Sequence, residues 1–153
     1  TADAAAPECR VLLLDHVNLN HERGRHDALT AFYFEFLGCA VDPRKYENYR
    51  AGAKTVWANI GMQQFHLPEG TPDAQVFDGV ITLVYEDFDG LRDRYNEYLD
   101  GNERFAPLKD TEFVVGMVED DMMLVTDPWG SQFVLLPSDD PVEDRGAHLG
   151  AQP

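Results

Sequence analysis

A strand, an amphipathic helix and three further strands run through the first half of this chain and then recur in the second. Leu29, Phe32, Tyr33, Phe36 and Leu37 mark one helical face, and Leu91, Tyr95, Tyr98 and Leu99 mark another. Both follow the three-and-four spacing that gathers apolar side chains on one side of a helix. An offset of 62 residues carries Leu29 onto Leu91, Tyr33 onto Tyr95, Glu35 onto Glu97, Phe36 onto Tyr98 and Leu37 onto Leu99. Units this long, each of helix plus sheet, are not solenoid repeats and read as two halves of one domain. A cleft between the halves is the expected place for a ligand.

The bulk properties narrow the classes. With 153 residues, 44% of them hydrophobic, the chain has material for one well-buried core and is short for two domains of usual size. Its 12 basic and 28 acidic residues leave a net charge of −16, which repels phosphate backbones and anionic lipid surfaces, so no nucleic-acid partner is expected. Apolar runs such as Val11 to Leu14 fall far short of the ~20 residues that span a bilayer, so no membrane insertion is expected. A soluble protein of the cytoplasm or an organelle lumen fits, and composition chooses neither. Cys9 and Cys39 have no C-x-x-C spacing and argue for neither a disulfide framework nor a zinc site.

Residues 1–10 read as a flexible N-terminal segment, whose Thr1 to Pro7 stretch fits a cleaved targeting remnant and an edited terminus equally. Residues 138–153, with Asp139, Asp140, Glu143 and Asp144 among Pro and Gly, read as a solvated acidic tail. Between them lies a single domain, residues 11–137, made of units at about 11–70 and 79–137.

Val11 to Asn20 reads as the first strand, an apolar run that turns to alternation. Period two puts Leu14, His16 and Asn18 on one face and Leu13, Asp15, Val17 and Leu19 on the other, with Asp15 best placed toward a sheet edge. His21 to His26 reads as a charged, solvated loop, and Asp27 as the N-cap of a helix ending near Leu37-Gly38. A variable stretch from Pro43 to Arg50 leads to a strand over Lys54 to Ile60, with Trp57 and Asn59 on one face. The chain returns after Gly61 through Met62 to Leu67, with Gln64 and His66 on one face. The second unit runs through strand Gly79 to Tyr85, cap Asp87, the second helix, and strands Glu112 to Val118, Met122 to Thr126 and Gln132 to Leu136, with a turn at Asp127-Pro128-Trp129-Gly130. The acidic run Glu119-Asp120-Asp121 is a hairpin turn, since it lacks the spaced oxygens of a calcium loop.

This double βαβββ pattern, with the Asp127-Pro128-Trp129-Gly130 turn feeding an apolar strand, resembles the vicinal oxygen chelate superfamily of glyoxalase I, bleomycin-resistance proteins and extradiol dioxygenases. Within it, Val56 to Pro68 is similar to a poorly characterised subgroup of glyoxalase-like proteins. The resemblance implies an α+β fold in which paired βαβββ modules form curved, mainly antiparallel sheets around a cleft, within one chain or completed across a homodimer or larger assembly. Metal enzymes of the superfamily take one ligand from each of four strands. His16 and His66 match two of those positions, and Val80 and Val134 stand at the other two. Valine has no lone pair to donate, so no metal cofactor is expected; a divalent ion, if one binds, would use His16 and His66.

The candidate ligand-binding residues are His16, Asn18, Trp57, Asn59, Gln64 and His66. The bland alternative makes the two histidines hydrogen-bonded relics and Trp57 and Trp129 wall or core packing. The leading reading is a small-molecule-binding, glyoxalase-like protein with an incomplete conventional metal centre. One alternative is a lyase, isomerase or dioxygenase that is metal-dependent or uses His16 and His66 as its catalytic proton-transfer groups. The other is a non-catalytic accessory subunit of a larger assembly.

Overall fold

The computed structural model describes residues 11–52, 55–70 and 73–138. The N-terminal segment, Cys9, Lys54 and the acidic tail from Asp139 lie outside the described residues. Each half builds one four-stranded sheet with the same strand order. In the first unit, β1 (His16–Asn18), β2 (Ala40–Val41), β3 (Thr55–Ile60) and β4 (Gln63–Pro68) lie in the order β1-β4-β3-β2. In the second, β5 (Val80–Tyr85), β6 (Val114–Glu119), β7 (Met122–Thr126) and β8 (Gln132–Pro137) lie in the order β5-β8-β7-β6. The first strand of each unit runs parallel to the last and the other pairs are antiparallel. A parallel pair needs a long crossover, which the helix supplies.

Helix α1 (His26–Leu29) continues as π-helical turns over Thr30–Phe36. Its counterpart, α3 (Phe88–Leu99), starts 62 residues later and follows α2 (Tyr46–Ala51) in the chain. Asp87 caps α3, its side chain accepting from the Gly90 backbone N–H at 2.9 Å. Asp27 does not cap α1. The cap position is Arg25, and Asp27, inside the first turn, accepts from Arg25 Nε instead. Gly38 ends the helical run at φ +77°, where a Cβ would also collide with Arg94 Nη1, the guanidinium nitrogen that donates to the Phe36 carbonyl. Any other residue would strain the backbone and displace that guanidinium. The stretch after β2 forms a 3-10 turn at Pro43–Lys45 that leads into α2.

Alternation decides the core. Val56, Ala58, Phe65 and Leu67 from the first sheet and Met123, Val125, Phe133 and Leu135 from the second are buried around Phe32, Tyr33 and Phe36. Phe65 and Phe133 meet at 6.0 Å between ring centroids, so the two sheets and the helix share one aromatic core. Burying a side chain of this size contributes about 1.5–3 kcal/mol. Tyr33 donates to Asp127 at 3.1 Å, and the other oxygen of Asp127 accepts from the backbone N–H groups of Trp129, Gly130 and Ser131. This buried carboxylate therefore builds the turn that feeds β8. Leu99 keeps its place in the helical register but is exposed, whereas its counterpart Leu37 is buried.

β1 is shorter than its apolar run suggests. Val11 to Asp15 lie outside the strand, and Val11 and Leu12 are exposed, because the pairing with β4 starts at Gln64. β1 does lie at the sheet edge, and Asp15 is exposed there.

Candidate functional site

The face of the first sheet opposite the core carries the six residues singled out by alternation. In register, His16 pairs with Gln64 and Gln64 with Asn59, while Asn18 pairs with His66 and His66 with Trp57. Two cross-strand rows thus lie side by side on one open face. His66 stacks on Trp57, with ring centroids 4.0 Å apart and planes 13° from parallel. The His16 ring stands edge-on to both, 5.3 Å from Trp57 and 5.9 Å from His66. Although 50 residues apart in sequence, the histidines are neighbours because β1 and β4 pair in parallel.

Two neighbours set the hydrogen-bonding state of this face. Asp15 Oδ2 lies 2.8 Å from His16 Nδ1. A carboxylate only accepts, so Nδ1 carries a proton and, in the neutral ring, Nε2 holds the lone pair. Asp42, just past β2, is the second. Its Oδ1 accepts from Arg44 N and Nε, and its Oδ2 from Arg44 Nη2 at 2.7 Å and Gln64 Nε2 at 2.7 Å. The hydrogen bonds from Arg44, above all those from its side chain, hold the Asp42 carboxyl well below the usual carboxylate range. Gln64 Nε2 also donates to Asn59 Oδ1. The pKa of His66 is lowered from its ordinary value, first by desolvation and then by the proximity of His16, which favours the neutral ring.

Asp15, Asp42 and Arg44 are the site neighbours that reading the sequence missed. Asp42-Pro43 does carry a signal, a capping acid before a proline at the first helical position. Asp15 is placed at a sheet edge by its polarity, but nothing in the sequence signals its contact with His16.

The second sheet repeats the geometry with different chemistry. Phe65 sits opposite Val17, as Phe133 sits opposite Ile81, which fixes the correspondence of the two sheets. In that register Val80 takes the place of His16, Val134 of His66, Leu124 of Trp57, Thr82 of Asn18 and Thr126 of Asn59, while Gln132 matches Gln64. The resulting face is apolar and open, lining a hollow of about 480 Å³, with Val80, Val114 and Leu124 exposed. His16 and His66 supply two imidazole nitrogens, and Val80 and Val134 add no donor, so these four positions do not make a four-ligand divalent centre. Among the described residues no group of three or more His, Cys, Asp or Glu is gathered for a metal ion.

A groove of about 710 Å³ also runs between the units, lined by Cys39, Asn59, Thr82 and Tyr85 among others. Asn59 is the one member of the candidate set along it; the other five stand on the open face beside it. His21, expected in a solvated loop, is instead buried at 2% exposure beside Trp129, and burial lowers its pKa. Its backbone N–H donates to the Pro68 carbonyl, which pulls the loop against the end of β4. His26 opens α1 and packs against Tyr49.

No family model matches the sequence, and no curated protein matches it. Solved structures do match. A glyoxalase family protein from Bacillus anthracis aligns with TM-score 0.57 at 17% identity, over 86% of this chain and 98% of that one. The fosfomycin resistance protein FosX from Mesorhizobium loti aligns with TM-score 0.54 at 12% identity, over 90% and 99%. FosX from Listeria monocytogenes aligns with TM-score 0.53 at 15% identity, over 89% and 98%. With two βαβββ units of identical strand order around one core, and these structures matched along nearly their whole length, this chain has the fold of these glyoxalase-family and fosfomycin-resistance structures.

Proposed function

We propose that this protein binds a small organic molecule on the open face of the first sheet, as a glyoxalase-like protein whose conventional metal centre is incomplete. The observation that carries the reading is the stacked Trp57–His66 pair, with His16 edge-on beside it and the polar groups of Asn18, Asn59 and Gln64 on the same face. A flat aromatic surface takes a planar group by dispersion and quadrupole interactions, and convergent amides and imidazoles fix its orientation. A sheet face needs neither the rings nor the asparagines to fold, and the second sheet manages with Val, Leu and Thr in their places.

A thermal-shift panel of dicarbonyls, catechols and hydrophobic antibiotics tests the reading. Fosfomycin joins the panel because two of the matched structures carry its name. A ligand of the folded state present at 100 times its Kd adds about 2.7 kcal/mol of stability. At least one class is expected to raise Tm, with the shift lost in His66→Ala and Trp57→Leu proteins that still fold. No shift with any class, or an undiminished shift in both variants, ends the proposal. Elemental analysis after mild dialysis is expected to find no stoichiometric divalent metal. About one zinc, nickel, iron or manganese per chain, lost in both His16→Ala and His66→Ala, supports the metal-dependent enzyme instead.

The Asp15–His16 contact favours a second reading, proton transfer by His16. A carboxylate on Nδ1 fixes the tautomer and leaves Nε2 as a base, the arrangement general-base catalysis uses. A bound compound that is turned over, with the rate lost in His16→Gln, distinguishes this reading from binding alone.

A further inference from the structure

Asp42 is buried, yet it belongs to neither the core nor the six residues above. It follows β2, whose Ala40 lies opposite Asn59 on the open face, so by alternation Asp42 returns to that face. Its backbone N–H donates to the Trp57 carbonyl, which places it directly across β3 from the site. The carboxylate is saturated: a planar carboxylate offers about four lone-pair directions, and Arg44 N, Nε and Nη2 with Gln64 Nε2 take them. A group in that state serves neither as a base nor as a ligand contact. It acts as an anchor.

The anchored group is Gln64. An ionised carboxylate accepts only from the NH₂ end of the amide, so the orientation of Gln64 follows from chemistry. One Nε2 proton goes to Asp42 and the other to Asn59 Oδ1. What remains for a ligand is the Gln64 carbonyl oxygen and the Asn59 NH₂. Beside them, in register with Gln64, stands His16, whose Nε2 is left open to a ligand by the Asp15 contact at Nδ1 and accepts when the ring is neutral. Two acceptors from neighbouring strands therefore stand side by side, with a donor next along the row.

Resting on the small-molecule reading above, we infer that Asp42 is a positioning residue that locks the Gln64 amide with its oxygen outward, so that the site selects ligands presenting adjacent N–H or O–H donors over ligands presenting adjacent carbonyls. Arg44 keeps Asp42 ionised and closed off, which gives the lock its direction. The corresponding stretch of the second sheet has Gln132, but Gly116, opposite Leu124, stands at the place of Asp42 and brings no carboxylate.

Side-chain amide NMR of the full chain reads the lock without any ligand. Both Gln64 Nε2 protons are expected to exchange at least tenfold more slowly than those of Gln132, and Asp42→Ala should remove that difference while leaving Gln132 unchanged. Unprotected Gln64 protons in the unsubstituted protein, or protection that survives Asp42→Ala, overturn the inference. Should Asp42→Ala not fold, Gln64→Glu decides: facing an ionised Asp42, the carboxyl introduced by that substitution is expected to titrate at least one pH unit above an ordinary glutamate, and an unshifted titration overturns the lock. Ligand polarity is read with two neutral aromatic probes, phenylurea with N–H donors on two adjacent nitrogens and methyl benzoylformate with carbonyl acceptors alone. Phenylurea is expected to shift the Gln64 and His16 signals at a concentration at least tenfold lower, and Asp42→Ala should narrow that ratio. The reverse order overturns the selectivity. Failure of both probes to touch the face while Gln64 stays protected overturns the donor preference and tells against the binding reading, while the lock itself stands on the exchange data.

Discussion

The two sheets of this protein share strand order, register and a common core, yet their outer faces are chemically unlike. Across one face run His16, Gln64 and Asn59 beside Asn18, His66 and Trp57; across the other, at the same register positions, run Val80, Gln132 and Thr126 beside Thr82, Val134 and Leu124. The inner faces match, with Phe65 and Phe133 equivalent and touching. The contrast separates two demands on a β-strand. The inward residues answer to packing, which both units must satisfy against one core. The outward residues are released from that demand, and one unit uses the freedom for an aromatic and imidazole surface.

The inner-face equivalence breaks most visibly by truncation. Phe65→Ala and Phe133→Ala should each cost about 3–5 kcal/mol, since both rings are almost fully buried in the same cluster. Denaturant unfolding that finds one of them nearly neutral would show that the core is not shared. The outer-face contrast is sharpened by making one face copy the other. His16→Val, Trp57→Leu and His66→Val together should weaken ligand binding at least tenfold, about 1.4 kcal/mol, while stability changes by under about 1 kcal/mol. A protein that binds unchanged, or one that unfolds, removes the distinction between the faces.

Acid acts next. His21 and His66 both have lowered folded-state pKa values, so below the ordinary value of 6.5 the unfolded chain takes up protons that the folded chain resists. Their neutral-state contribution is complete above that pH and is lost as pH falls from 6.5 toward the folded values. Tm should decline over that interval, and His21→Leu should flatten the decline. An equally steep fall in the variant would place the acid sensitivity elsewhere. The smallest effect concerns the two rings alone: NMR should show His66 titrating below 6.5, and His16→Asn should move it only part of the way back, because desolvation outweighs the neighbouring imidazole. A complete return would make His16 the dominant cause.

Much of the architecture is legible in the chain because each unit obeys simple periods. The spacing of Leu29, Phe32, Tyr33 and Phe36 against Leu91, Tyr95 and Tyr98 announces two helices, and alternation in Gln64-Phe65-His66-Leu67 separates core from open face before any coordinate is known. The capping role of Asp87 is readable for the same reason, since its partner Gly90 lies three residues away. Local rules misplace other features. Asp27 looks like a cap, but the helix begins at His26 and the cap position falls two residues earlier, at Arg25; His21 sits among charges, but the Pro68 carbonyl and Trp129 draw it inside. Leu99 keeps the helical register and is left in solvent.

The sequence by itself determined the paired βαβββ units, the inward aromatic residues and the face on which His16, Asn18, Trp57, Asn59, Gln64 and His66 stand, because these follow from hydrogen-bond periodicity and apolar burial within short windows. Only the tertiary structure decided that His66 lies flat on Trp57, that Asp15 fixes the His16 tautomer, and that Asp42, with Arg44 closed over it, turns the Gln64 amide. Those contacts depend on register between strands and on where a sheet edge falls. Neither is encoded in the spacing of residues along one strand, since register is set by all the pairings of a sheet at once.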